Sequence, residues 1–199
     1  ADFVGAEEAL CFVGGHSTNE TTIGHLLGPG DLIVHDALAH NSIIQGALLS
    51  GAHRRPFPHN DWRALDRMLR EIRRDYRRVL VVIEGVYSMD GDVCPLPDVA
   101  RLAERTGSAL VIDEAHATGI AGPGGAGRAA ECGIDGEHVV AMGTLSKALG
   151  GYGGFAACTA AMRDLLVNRA RSFIYTTALP PASAGAAGRW RACGGSSIG

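Results

Sequence analysis

VLVVIEGVYS (79–88) opens with five aliphatic residues in succession and turns polar only at Glu84. A strand of that kind has no wet face. It needs apolar cover above and below, which helices supply to the central strands of a parallel sheet. ALVIDEA (109–115) repeats the pattern and also turns acidic at its end, and DLIVHDA (31–37) and HVVAMGTLS (138–146) read the same way. Between them lie helical stretches. WRALDRMLREIRRDYRR (62–78) places Leu65, Met68, Leu69, Ile72 and Tyr76 on one face. PDVARLAERTG (97–107) closes on Gly107, a residue suited to the left-handed turn that ends a helix. HNSIIQGALLSG (40–51) and AAMRDLLVNRARS (160–172) read as helices, and GYGGFAACT (151–159) as a further strand. The alternation predicts an α/β fold, a mostly parallel sheet flanked by helices.

The two ends read differently. ADFVGAEEALCFVGG (1–15) has a helical pattern running into glycines. In residues 182–199 Gly, Ala and Ser displace any amphipathic period, which predicts a loose tail. The expected organisation is therefore an incomplete large domain over 1–181 and an atypical tail over 182–199, with the chain read as a fragment.

The 199 residues are 46% hydrophobic and 20% charged, enough apolar material for a sizeable core. A net charge of −3 lacks the basic footprint of a nucleic-acid binder. No run approaches the roughly 18 apolar residues of a membrane span, and no signal peptide opens the chain, so a cytoplasmic location is expected. The five cysteines (11, 94, 132, 158, 193) are far apart and form no C-x-x-C pair, which suits unpaired thiols in a reducing compartment. The eight histidines form no zinc-ligand spacing, so no metal is expected.

In open α/β sheets ligands gather beyond the C-terminal ends of the strands. Asp36 and His40 follow one predicted strand, and Glu84, Tyr87, Ser88 and Asp90 the next. Asp113, Glu114 and His116 follow a third, and Thr144, Ser146 and Lys147 a fourth. Four edges rich in titratable groups point to one site. Lys147 is the only lysine among the 18 Lys plus Arg. It lies between a buried strand and a Gly-rich turn, where desolvation can lower an amine's pKa and make it a nucleophile. Hydroxyls at Thr144 and Ser146 suit a phosphate beside it. Amine and phosphate cradle together suggest pyridoxal 5'-phosphate (PLP) held as a Schiff base. Asp113 then suits the pyridine nitrogen, His116 the ring oxygen, and His40 the ring face. DEAH (113–116) also occurs in an ATPase motif, but no Gly-rich loop ending in Gly-Lys-Ser/Thr accompanies it; GPGGAGR (122–128) reads as a flexible loop. The Arg-rich face of residues 62–78 reads as a solvated, ion-paired surface.

Seven ordered stretches cover nearly the whole chain to Pro181: GGHSTNETTI (14–23), HDALAHNSIIQGALLSGA (35–52), FPHND (57–61), EGVYSMDGDVCPLPD (84–98), VIDEAHATGIAGPGGAGR (111–128), GTLSKALGGYGG (143–154) and IYTTALPP (174–181). As a set they resemble the α-oxoamine synthases, a family of fold-type I PLP enzymes. The resemblance implies that Lys147 is the Schiff-base lysine, Asp113 the pyridine-nitrogen partner, His116 a hydrogen bonder to the ring oxygen, and His40 the histidine stacked on the ring. It implies a ring-side hydroxyl at Ser88 and phosphate contacts at Thr144, Ser146, Gly15 and His16. Thr177 matches a position that reaches the phosphate of a neighbouring subunit, so a homodimer is implied.

The implied reaction is a decarboxylating condensation of an amino acid with an acyl thioester, on CoA or a carrier, to an α-amino ketone. His16 stands where relatives carry an aromatic residue, which bears on substrate choice. The family's N-terminal segment and small C-terminal domain lie outside the seven stretches, so the chain is expected to be impaired or inactive alone. Neither Arg189 nor Arg191 matches the arginine that binds the substrate carboxylate. An aminotransferase of the same fold and a non-catalytic PLP-binding fragment are the alternatives.

Overall fold

The computed structural model describes residues 1–194, with side chains described through Arg189. Seven strands form one sheet in the order β1-β7-β6-β5-β4-β2-β3. They are β1 (Glu8–Phe12), β2 (Leu32–Asp36), β3 (His53–Phe57), β4 (Val79–Glu84), β5 (Ala109–Asp113), β6 (Val139–Thr144) and β7 (Gly154–Cys158). The run from β3 through β2, β4 and β5 to β6 is parallel, and β7 lies antiparallel to both β6 and β1. The expected α/β class and mostly parallel sheet are what the structure has.

The unbroken apolar strands are explained by cover on both faces. Val81, Ile83, Leu110 and Ile112 pack on one side with Leu65 and Leu69 of α3 (Trp62–Ile72) and Leu96 and Leu102 of α4 (Leu96–Thr106). Leu80, Val82, Val111 and Val140 pack on the other. There they meet Ile23 of α1 (Gly15–Leu26), Ile43 and Ala47 of α2 (Asn41–Ser50), and Leu166 of α6 (Ala160–Arg169). The side chains of β4 thus alternate between two dry layers, each fully buried aliphatic residue contributing roughly 1.5–3 kcal/mol. Gly107 closes α4 in the left-handed conformation, φ 60°, as its type suggests.

α1 and α2 approach closely enough to require glycine. A Cβ on Gly46 would come within 2.9 Å of Ile23 Cβ and 3.0 Å of the carbonyl oxygens of Asn19 and Glu20. Because α1 is pressed between α2 and the sheet, its polar Thr18, Asn19, Thr21 and Thr22 are buried.

Three sequence expectations differ from the structure, and one strand was not foreseen. Residues 1–15 contain no helix up to Gly14. Leu10 and Phe12 are buried while Cys11 is exposed, a two-residue period, and the segment pairs with β7 along the sheet edge. β3 was not evident because its residues HRRPF are mostly exposed; charge and a proline at Pro56 are usual on an edge strand. GPGGAGR is tied down rather than free, since Glu114 accepts the N–H groups of Arg128 and Ala129 at the start of α5 (Arg128–Glu131). Finally, α8 (Pro181–Gly194) follows the short α7 (Arg171–Ile174) and covers most of the segment expected to be loose. Proline at the first helical position and the alanines that follow favour helix strongly enough to form it without an amphipathic face. The last part of that expectation, residues 195–199, lies outside the described residues. Among the described residues, no helix is long and apolar enough to cross a membrane.

The Arg-rich face behaves as an ion-paired surface: Arg70 and Arg105 both reach Asp66, and Arg77 and Arg78 clamp the buried Asp31.

Candidate functional site

Parallel register delivers the ends of β4, β5 and β6 to one edge, with Glu84 paired to Asp113 and Asp113 to Met142. Beyond that edge lies a cavity of about 170 Å³. Gly15, His16, His40, Asp113, His116, Thr144, Ser146 and Lys147 line it, together with Asn19, Ser42 and Glu84. Ser88 and Thr177 are not among its walls. Both are exposed, one in the connection after β4 and the other between α7 and α8. A larger hollow of about 560 Å³ lies at the opposite edge. Its guanidinium groups are already committed, Arg77 and Arg78 to Asp31 and Arg73 to backbone carbonyls, so the chemistry belongs to the smaller cavity.

Lys147 Nζ stands 2.7 Å from His116 Nε2. An ammonium can only donate, so His116 presents a lone pair at Nε2. Partial burial lowers the Lys147 pKa, with Asp113 and Glu84 working in the opposite direction. His116 is also held below its usual value, first by desolvation and then by the Lys147 charge. Asp113 is 4% exposed; its Oδ1 accepts the Ala115 N–H at 2.9 Å and its Oδ2 the Asn19 Nδ2–H at 2.6 Å. Glu84 Oε1 accepts the His40 backbone N–H at 2.5 Å. Burial, reinforced by the Asp113 charge, pushes the Glu84 carboxyl up to about 7.

At the other end of the cavity Thr144 Oγ1 lies 2.7 Å from Ser146 Oγ and 3.0 Å from the Gly153 carbonyl. Helix α1 starts against this pair. A Cβ on Gly15 would sit 3.2 Å from Thr144 Cβ, so glycine lets the helix end approach the hydroxyls. Among the described residues no side chain caps that end, leaving its N–H groups and positive dipole for an anion. A primary amine, a buried carboxylate and a hydroxyl-lined helix start converge on one cavity, and that donor set fits PLP. Among the described residues, no group of three or more His, Cys, Asp or Glu is arranged to hold a metal ion.

A model of the aminotransferase class I and II family matches residues 1–189. The chain belongs to that family. Its relatives within the aminotransferase class I and II family are α-oxoamine synthases, as the seven motifs suggest. It is 49% identical over 178 residues to an 8-amino-7-oxononanoate synthase of Trichlorobacter lovleyi, spanning 89% of this chain and 45% of the relative. Among solved structures, a serine palmitoyltransferase from S. paucimobilis with PLP and myriocin bound superposes with a TM-score of 0.89. The two are 34% identical over 96% of this chain and 49% of that one. An 8-amino-7-oxononanoate synthase from Francisella tularensis gives 0.82 at 30% identity, over 98% of this chain and 56% of that one. The chain thus spans about half the length of the proteins it matches.

Asn19 and Ser42 were not singled out by sequence reasoning. Both lie inside quoted motifs, but an Asn among threonines looks like a helix surface until α2 covers it. The available signal was the absence of any apolar stripe in α1.

FPHND also acquires a structural role. His59 Nδ1 lies 2.8 Å from Asp36 Oδ1 and its Nε2 2.7 Å from Asp92 Oδ2, with the ring edge-on to Tyr87. It ties the ends of β2 and β3 to the connection after β4, which bears Ser88. Burial alone would lower its pKa, but the hydrogen bonds and charges of Asp36 and Asp92 outweigh it and the net shift is upward. A raised folded-state pKa contributes stability that is complete below the unfolded value of about 6.5 and disappears as pH rises through the folded value. His59→Gln should therefore cost more in urea unfolding at pH 6 than at pH 9. An equal cost at both values would show that the bridge is not ionic.

Proposed function

We propose that this chain carries the PLP-binding site of an acyltransferase that condenses an amino acid with an acyl thioester, ordinarily with loss of carbon dioxide, to give an α-amino ketone. The observation that carries the reading is Lys147 Nζ at 2.7 Å from His116 Nε2 in a cavity that also holds Asp113. When bound, PLP supplies a conjugated ring that withdraws electrons from the amino acid's α-carbon. Lys147 would hold it covalently and afterwards take and return the α-proton, roles helped by a lowered amine pKa. Asp113 would keep the ring nitrogen protonated, being a buried carboxylate with lone pairs left after its two hydrogen bonds. His116 and Ser88 would serve the ring oxygen, and His40 the ring face. Thr144, Ser146, Gly15 and His16 would hold the phosphate. We place Thr177 at the partner's phosphate in a homodimer, its exposure being compatible with that role. We retain the division at 181, with the large domain before it.

The names of the relatives favour acyl transfer over transamination. The purified chain, loaded with PLP, should show a Schiff-base band that shifts with glycine, alanine or serine. An α-amino ketone formed on adding an acyl-CoA, detected by mass spectrometry, would show acyl transfer and overturn the expectation that the chain by itself is impaired. Keto acid and pyridoxamine phosphate instead would indicate an aminotransferase, and a shifting band without product a binding fragment. Absence of any band would sink the cofactor assignment.

A further inference from the structure

Asp113 and His40 reach the cavity from different elements, the end of β5 and the loop before α2. A buried chain of hydrogen bonds nevertheless joins them. Asn19 donates from Nδ2 to Asp113 Oδ2 at 2.6 Å and to Ser42 Oγ at 2.8 Å. Asn19 is 4% exposed and Ser42 0%, so water does not share these bonds. An amide nitrogen carries two hydrogens, and both are committed. Turning the amide over would aim its oxygen at the Asp113 carboxylate, acceptor against acceptor. In the observed orientation Asn19 Oδ1 is buried with no partner among the described residues. That costs about 1–3 kcal/mol, which the two donated bonds, one to an ionised acceptor, offset.

The orientation propagates. Ser42 Oγ accepts from Asn19, so its single proton is free to go onward, and His40 Nδ1 is 2.7 Å away. The same Nδ1 lies 3.2 Å from the Ser42 backbone N–H, which can only donate. Two donors on one ring nitrogen require a lone pair there, so the His40 proton resides on Nε2. The titratable neighbours of this ring are Asp113, Lys147, His16 and His116, with Glu84 on its backbone N–H. Burial, the largest influence, disfavours the imidazolium, as do Lys147 and His16, and these outweigh the attraction of Asp113.

We propose that Asn19 and Ser42 are positioning residues, a relay that holds Asp113 as an acceptor-only carboxylate and His40 as its neutral Nε2–H tautomer. Its purpose rests on the PLP assignment, since it sets the ring-nitrogen partner and the ring-stacking group together. The tautomer does not depend on that assignment. The relay couples two groups that must both be correct before an electron-withdrawing ring is bound productively.

Histidine-selective ¹⁵N NMR of the 199-residue chain without cofactor tests it directly. The wild-type His40 signals should show an unprotonated Nδ1 and a protonated Nε2, persisting below the free imidazole value of about 6.5. Ser42→Ala, a small change in volume, keeps the backbone N–H on Nδ1 and with it the Nε2–H tautomer, but removes the closer of the two donors and should move the titration up toward the free value. The signals of His59, held by Asp36 and Asp92 away from this ring, should stay in place and report that the fold is intact. Asn19→Leu should raise the PLP dissociation constant at least about tenfold, because Asp113 loses a charge-assisted bond. A proton on His40 Nδ1 in the wild type, or a Ser42→Ala variant with unchanged titration, overturns the relay. The imidazole signals decide this whether or not PLP binds, whereas failure of the wild-type chain to bind PLP counts against the cofactor assignment alone.

Discussion

Lys147→Ala should abolish covalent capture of PLP. Lys147 is the only lysine of the chain, so borohydride reduction of the loaded wild type should label one internal peptide, the one containing GTLSKALGG. The α-amine of Ala1 is the other primary amine, and peptide mapping separates the two. The variant should lose both the internal label and the Schiff-base band. Any α-proton exchange on a bound amino acid should fall by about 10²–10⁴, the contribution of a positioned general base. Neither nearby titratable group can replace it in the covalent link: His116 offers an imidazole and Glu84 a carboxyl, not an amine. A band and label that survive in the variant would refute the central assignment.

The second large effect is expected at Asp113. Asp113→Asn keeps the shape and replaces a buried carboxylate by a neutral amide. Its hydrogen bonds to Ala115 and Asn19 both need an acceptor, and the new amide has only one oxygen for them. The lost charge would have been paired with a protonated ring nitrogen at low dielectric, where such pairing is strong. Exchange of the glycine α-proton in deuterated water, followed by proton NMR with PLP present, should slow by about 10²–10³. Weaker retention of PLP on gel filtration should accompany it. An unchanged exchange rate would mean that the carboxylate is structural, an anchor for the start of the connection after β5, and that the electron-withdrawing role lies elsewhere.

Much of the architecture was legible because two-sided burial leaves a one-dimensional trace. A strand covered on both faces must be apolar throughout, so β2, β4, β5 and β6 stood out with their ends near the right residues. The elements that escaped obey no such local rule. β1 has a neighbour only because β7 returns antiparallel beside it, and β3 is an exposed edge strand rich in charge. α1 has no amphipathic face, since the surfaces that bury it are a second helix and the sheet rather than a single apolar layer.

The chemical residues divide the same way. Lys147, Asp113 and His116 were readable one by one, because a lone amine and an acid at the end of a buried strand are conspicuous wherever the chain goes. Their meeting at 2.7 Å, the exclusion of Ser88 from the cavity wall, and the rotation of Glu114 toward the N–H groups of α5 were not. Asn19 is the clearest case. Its neighbours in the chain are Thr18 and Glu20, while its bonded partners, Ser42 and Asp113, lie on α2 and at the end of β5.

By itself, then, the sequence determined the layered sheet, the edge where chemistry gathers and the identity of the one side-chain amine available, because burial and residue type are local properties. Which oxygen of Asp113 is taken, which nitrogen of His40 keeps its proton, and which loops His59 holds together were decided only by tertiary structure. A hydrogen bond depends on distances between atoms of different elements, and those distances exist only after packing has set them.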